Sequence, residues 1–240
     1  MKSYIKQCKE LIALDPGVNK HILKDNEISN VSLMDKSSAI VLLSKNVAFE
    51  LGHPSTASQA FVIKTSDKQL VENNSVSHIG PDFSEMEMGE KYAFAQVILL
   101  ALKDDCGYDP FQIEASQYLS NKLAGYSIRS IPGKLWARVA KKQLSEGLTI
   151  KQIALALNKV YRMDFPQIEA MEILFVTESK DKVLSLLPIE EQIRASSKQQ
   201  KKESLKAFGD MDCSEMNCKS CDEVDICDDV RDVIKIKRRG

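Results

Sequence analysis

Four cysteines fall within fifteen residues near the end of this sequence: Cys213, Cys218, Cys221 and Cys227, in the spacing C-x4-C-x2-C-x5-C. Thiols packed this tightly have little structural use in a reducing compartment, whereas a metal needs several thiolates converging on one point. Cys218 and Cys221 bracket a single tight turn, so both sulfurs can face one ion or cluster. Cys213 and Cys227 are close enough in sequence to close the shell from either side. A metal centre held by these four thiolates is therefore the strongest chemical expectation in the chain.

Zinc in an all-cysteine site usually takes two C-x2-C knuckles separated by a longer loop. Only one such knuckle is present here, flanked by single cysteines. Iron–sulfur clusters accept compact runs of unequal spacing. A 4Fe-4S cluster on Cys213, Cys218, Cys221 and Cys227 leads, zinc is the alternative, and a redox or disulfide-forming tail is the reading without metal. Asp210, Asp212, Glu215, Asp222, Glu223, Asp225, Asp228 and Asp229 crowd the site. Negative charge there would lower a cluster's potential, and a plain solvated acidic surface explains it as well. Asp228 and Asp229 open the last run while Lys235, Lys237, Arg238 and Arg239 close it, the charge order that a helix dipole favours. Cys227 would then sit at a helix N-terminus, where a thiolate is stabilised. The basic end could meet a phosphate or an acidic partner, or be a solvated helix end.

The remainder of the chain has the material for a core. Hydrophobic residues make up 43% and charged residues 28%, and the net charge of −1 gives no reason to expect nucleic acid. The longest apolar run, 93–102, is too short to span a bilayer, and the charged N-terminus does not resemble an export signal. These features point to a cytoplasmic protein without a membrane partner, and an oxygen-labile cluster would add an anaerobic setting.

Apolar residues at Ile5, Cys8 and Ile12 predict a short amphipathic helix over 3–14, stopped at Asp15-Pro16-Gly17, with Cys8 a buried structural thiol. Buried strands are expected at 38–43, 60–65, 94–102 and 171–177, and an alternating strand at 126–131. Asn73-Asn74 and His78-Ile79-Gly80-Pro81-Asp82 read as loops. A helix is expected from Asp109-Pro110 to Gly125, and two more at 135–144 and 150–161, split by Gly147. Trp136 reads as a core anchor, and isolated Cys106 as structural. The second of the paired helices resembles the first half of a helix-turn-helix, but a strand follows where a recognition helix should stand.

After Leu187-Pro188 the sequence turns polar, either linker or exposed helix. The organisation expected is an α/β domain at 1–188 with a mixed sheet and flanking helices, a polar connection at 189–209, and a small C-terminal cysteine-rich metal module at 210–240. None of the three histidines, His21, His53 and His78, has another histidine or a cysteine at ligand spacing. No P-loop, G-x-G-x-x-G or G-x-S-x-G is present. His78 and Asp82 are the only candidate acid–base groups, should an active site lie in the α/β body.

Three stretches together resemble the carbon monoxide dehydrogenase/acetyl-CoA synthase beta-subunit family. They are V-A-F-E-L-G-H-P-S-T-A-S-Q-A-F-V-I-K-T with H-I-G-P-D-F, then L-W-A-R-V-A-K-K-Q-L-S-E-G-L-T-I-K-Q-I-A-L-A-L with I-E-A-M-E-I-L-F-V-T, and the tail C-K-S-C-D-E-V-D-I-C-D-D-V. That family builds its active centre from a cluster bridged to nickel and held partly by C-G-C. This sequence has no C-G-C and no second cysteine group for nickel. The resemblance therefore implies kinship with a part lacking the nickel-cluster catalytic domain: a non-catalytic subunit, electron-transfer or assembly component whose partner is a subunit of such a complex. A zinc-stapled scaffold, or an enzyme acting through the α/β body, is the alternative.

Overall fold

The computed structural model describes residues 2–34, 44–53, 55–103, 113, 115–131 and 134–196. The chain divides into two units, 1–190 and 191–240. Of the second unit only 191–196 are described, and they are helical. The expected strand at 38–43, Cys106, the start of the helix expected from Asp109, and the cysteine-rich module all lie outside the described residues.

The first unit is built on two mixed sheets. The larger has five strands, β1 (Asn19–Ile22), β4 (Ser75–Ile79), β9 (Ile168–Thr177), β6 (Phe94–Leu102) and β3 (Ser58–Thr65), in that spatial order. β4 runs parallel to β9 and β3 parallel to β6, while β6 and β9 are antiparallel neighbours. Every residue of β6 is buried, as the run F-A-Q-V-I-L-L-A-L, apolar but for Gln96, requires of a strand covered on both faces. The smaller sheet has the order β5 (Lys91–Tyr92), β2 (Val47–Leu51), β8 (Lys134–Ala140) and β7 (Tyr126–Ile131).

One face of the large sheet is covered by helix α1 (Lys2–Cys8) and its π-helical continuation Lys9–Ala13, which bury Ile5, Cys8 and Ile12 against β3, β4 and β9. Burial pushes the Cys8 thiol up to about 12, so it is inert packing. The other face shares a core with the small sheet and helix α4 (Ile150–Asp164), formed by Val76, Ile98, Ile173 and Phe175 with Phe49, Leu51, Ala137, Val139, Ile153 and Leu157. Helix α2 (Asp25–Asn30) follows β1 and packs on α4. Lys2–Asp67, Lys9–Glu172, Lys20–Glu72, Glu27–Lys151 and Asp15–Lys182 ion pairs tie this N-terminal segment to the rest.

The stretch 135–144, expected to be helical, is a correction. Residues Lys134–Ala140 form a strand, and only Lys141–Ser145 make a short helix, α3. Leu135, Ala137 and Val139 are buried while Trp136 and Arg138 between them are half-exposed, a period of two that the helical reading overlooked. His78 and Ile79 are likewise the end of a fully buried strand rather than loop. Helix α4 begins where expected, because Thr149 and Gln152 close a capping box around its first turn.

Candidate functional site

β4 and β9 end, and β3 and β6 begin, along the same edge of the large sheet, which is where parallel strands usually present ligands. Here the turn Gly80-Pro81-Asp82 folds against the end of β9. Thr177 Oγ1 donates to the Pro81 carbonyl at 2.8 Å, with the Ile79 carbonyl at 3.3 Å. Its proton spent, that hydroxyl accepts from His78 Nε2 at 2.9 Å, so the neutral His78 ring carries its hydrogen on Nε2. Burial holds the His78 imidazole below its ordinary value, while Asp82 and Glu85 pull it up and His21 pushes it down.

Asp82 is spent as well. Its Oδ1 accepts from the N–H of Phe83 at 2.6 Å and of Ile150 at 3.0 Å, capping the 3-10 turn Phe83–Glu85 and the first turn of α4 together. Glu85 closes the box by accepting from the Asp82 N–H. The two groups offered by the sequence for acid–base work thus serve as a satisfied core histidine and a double helix cap.

Beside this turn lies an open cleft of about 560 Å³, bordered by Glu85, Glu87, Glu90 and Glu178 with Lys91 and Lys180. Small-molecule pockets are mostly apolar with a few convergent polar groups; here charged side chains dominate the border, with Pro81, Tyr92 and Ala93 among them. Glu178 sits there with φ of 67°, an uncommon left-handed backbone for a non-glycine residue.

A second constellation, on the outward face of the small sheet, was not anticipated. Trp136 is not a core anchor: the alternation of β8 turns it away from the core. The Arg138 guanidinium lies 4.4 Å over its ring, and His53 meets the ring edge-on at 5.6 Å. Glu50 joins the group, with Oε1 3.1 Å from Arg138 Nε and Oε2 3.4 Å from His53 Nε2. His53 Nδ1 accepts the Ser55 N–H, leaving Nε2 to carry the hydrogen that faces Glu50. The available signal was the alternation W-A-R across 136–138, apolar in and polar out.

Among the described residues, no group of three or more His, Cys, Asp or Glu side chains is placed to hold a metal. Cys213, Cys218, Cys221 and Cys227 lie outside those residues. No helix among them is long and apolar enough to cross a membrane.

Two mixed sheets around a shared core, with flanking helices, a doubly capped turn and a cationic aromatic cluster, define a mixed α/β domain. The chain belongs to the CO dehydrogenase/acetyl-CoA synthase complex beta subunit family, which matches residues 42–183. It is 31% identical over 140 residues to the beta subunit of the acetyl-CoA decarbonylase/synthase complex of Archaeoglobus fulgidus, covering 58% of this chain and 26% of that protein. The Methanothermobacter thermautotrophicus subunit is 27% identical over 136 residues, covering 56% and 29%. That of Methanopyrus kandleri is 26% identical over 125 residues, covering 50% and 26%. The aligned part thus spans about a quarter of each relative's length. The match takes in the strand and helix blocks that carried the resemblance, and stops short of the block beginning at Cys218.

Proposed function

We propose that this chain is a non-catalytic component associated with a complex of the acetyl-CoA decarbonylase/synthase type. Its α/β body docks a partner subunit, and its tail binds one 4Fe-4S cluster through Cys213, Cys218, Cys221 and Cys227. The observation that carries this reading is the split in the chain. The body follows the beta subunits over 42–183, and the four-thiolate run lies beyond the matched span. Relatives named as subunits of a complex support a protein partner. Inside the body, His78 and Asp82 are committed to the core and to helix capping.

The donor set suits such a cluster. Four thiolates saturate it, and a cluster without an open iron position supplies one-electron transfer or structural pinning rather than substrate chemistry. The tail's acidic residues would lower its potential. The deciding measurement is the iron, acid-labile sulfide and zinc content of the chain purified without oxygen, with its visible spectrum before and after dithionite. About four irons and four sulfides per chain are expected, lost in Cys218→Ser. Zinc without sulfide would replace the electron-transfer reading with a stapled scaffold.

A further inference from the structure

Beneath the N-terminal segment the large sheet carries a strip of polar atoms. Val76, Ile173 and Phe175 point into the core shared with the small sheet, so alternation turns Ser75, Ser77 and Glu172 to the opposite face, under the π-helical turn Lys9–Ala13. Ser75 and Glu172 are direct partners in the parallel register of β4 and β9, and Ser77 continues the strip two residues further along. None of the three is more than 1% exposed. Glu172 Oε2 is engaged by Lys9 Nζ and by the Glu72 N–H. Its Oε1, together with Ser75 Oγ and Ser77 Oγ, makes no hydrogen bond among the described residues. The carboxylate is drawn to the corner that opens β4, because Glu72, whose N–H it holds, also gives its carbonyl to the Ser75 N–H at 3.2 Å. The Ser75 hydroxyl belongs to the same corner as the open oxygen.

We infer that Glu172 Oε1 and Ser75 Oγ share one internal water molecule, a fixed hydration site between the N-terminal segment and the sheet. Buried polar atoms are satisfied by protein or by ordered water, and a buried ion pair holds only when its remaining lone pairs are met. The chemistry of the corner selects the ligand. A carboxylate oxygen only accepts, so whatever meets Oε1 must donate. Lys9 already neutralises Glu172, so a second cation would be repelled by the ammonium beside it. Water is neutral, donates to Oε1 and accepts from the Ser75 hydroxyl, two of the partners that internal waters take. It completes the shell that Lys9 and the Glu72 N–H begin. The inference stands apart from the proposed function and does not depend on it.

A high-resolution crystal structure of the full chain tests the site directly. One solvent peak is expected about 2.8 Å from both Glu172 Oε1 and Ser75 Oγ. A Ser75 hydroxyl bonded straight to Glu172, an Oε1 met by another side chain, or no peak within reach of the two atoms overturns the inference. Ser75→Thr and Ser75→Val probe the same corner in solution, because the two have one shape and differ only in a hydroxyl. Their steric cost is shared, so the difference between them reads the hydrogen bond alone. In urea melts the unfolding equilibrium constant should be about tenfold larger for the valine variant than for the threonine variant. Equal constants would show that the hydroxyl meets nothing, and would overturn the inference as well. Should neither variant fold, the crystal structure of the parent chain still decides.

Discussion

Lys9 Nζ stands 3.0 Å from Glu172 Oε2, and the carboxylate it meets is wholly shut from solvent in the middle of β9. The same oxygen accepts the Glu72 N–H at 2.8 Å, and Lys9 also reaches the Leu70 carbonyl at 3.3 Å. A charge sunk into the large sheet is therefore balanced by a residue from the N-terminal segment, outside the span matched by the family.

This pairing makes the N-terminal segment necessary to the sheet. Lys9→Met should destabilise the body by roughly 3–5 kcal/mol, because it strands a buried carboxylate without its counter-charge. Adding Glu172→Gln removes the charge and should restore part of that loss. Urea unfolding of both variants decides the matter: a double variant no more stable than Lys9→Met would show that lost packing, not the unpaired charge, is responsible.

His78 should make stability depend on pH. Its folded-state value lies below the ordinary 6.5 because burial disfavours the charged ring. The folded chain then binds fewer protons than the unfolded chain, so its contribution is complete above about 6.5 and declines as pH falls toward the folded value. Unfolding free energies measured across this range should show the decline in the parent and a flatter curve in His78→Gln. Matching slopes would mean that another group titrates.

Much of the architecture was legible, and the failures share a cause. Strands at 94–102 and 126–131 were read with the boundaries the structure shows, since apolar runs and alternation need no tertiary context. The stretch 135–144 misled because L-W-A-R-V-A-K-K-Q-L supports two periods at once, and only packing of Leu135, Ala137 and Val139 into the shared core selects the strand. His78 and Ile79 read as loop beside Gly80-Pro81, yet they close β4, whose residues are all buried by neighbours from distant parts of the chain. The Trp136–Arg138–Glu50–His53 cluster joins two strands and a turn, so the local alternation at 136–138 puts Trp136 and Arg138 on one face but cannot bring Glu50 and His53 to them.

The turn Gly80-Pro81-Asp82, folded against the end of β9, depends on a glycine. Gly80 has φ of 99°, and a Cβ there would stand 2.1 Å from the Thr177 carbonyl oxygen. Gly80→Ala should cost roughly 2–4 kcal/mol, from left-handed backbone plus a collision with main chain. Gly147, with φ of 87° and nothing near its would-be Cβ, should lose only about 1–2 kcal/mol on the same change. Equal losses by denaturant melts would remove the collision from the account.

Asp82 supplies the last test, because it separates an architectural carboxylate from a catalytic one. One oxygen serves two backbone donors, Phe83 N next to it and Ile150 N 68 residues further along the chain. Asp82→Asn keeps an acceptor oxygen in place and should preserve most of the stability. Asp82→Ala leaves both donors without it and should cost about 1–2 kcal/mol. The loss should be local as well as global: amide exchange should quicken first at Ile150, Lys151 and Gln152, where α4 begins. If Asn proves as damaging as Ala, the charge of Asp82 matters more than its acceptor, and the helix dipole of α4 rather than the hydrogen bonds holds the turn in place.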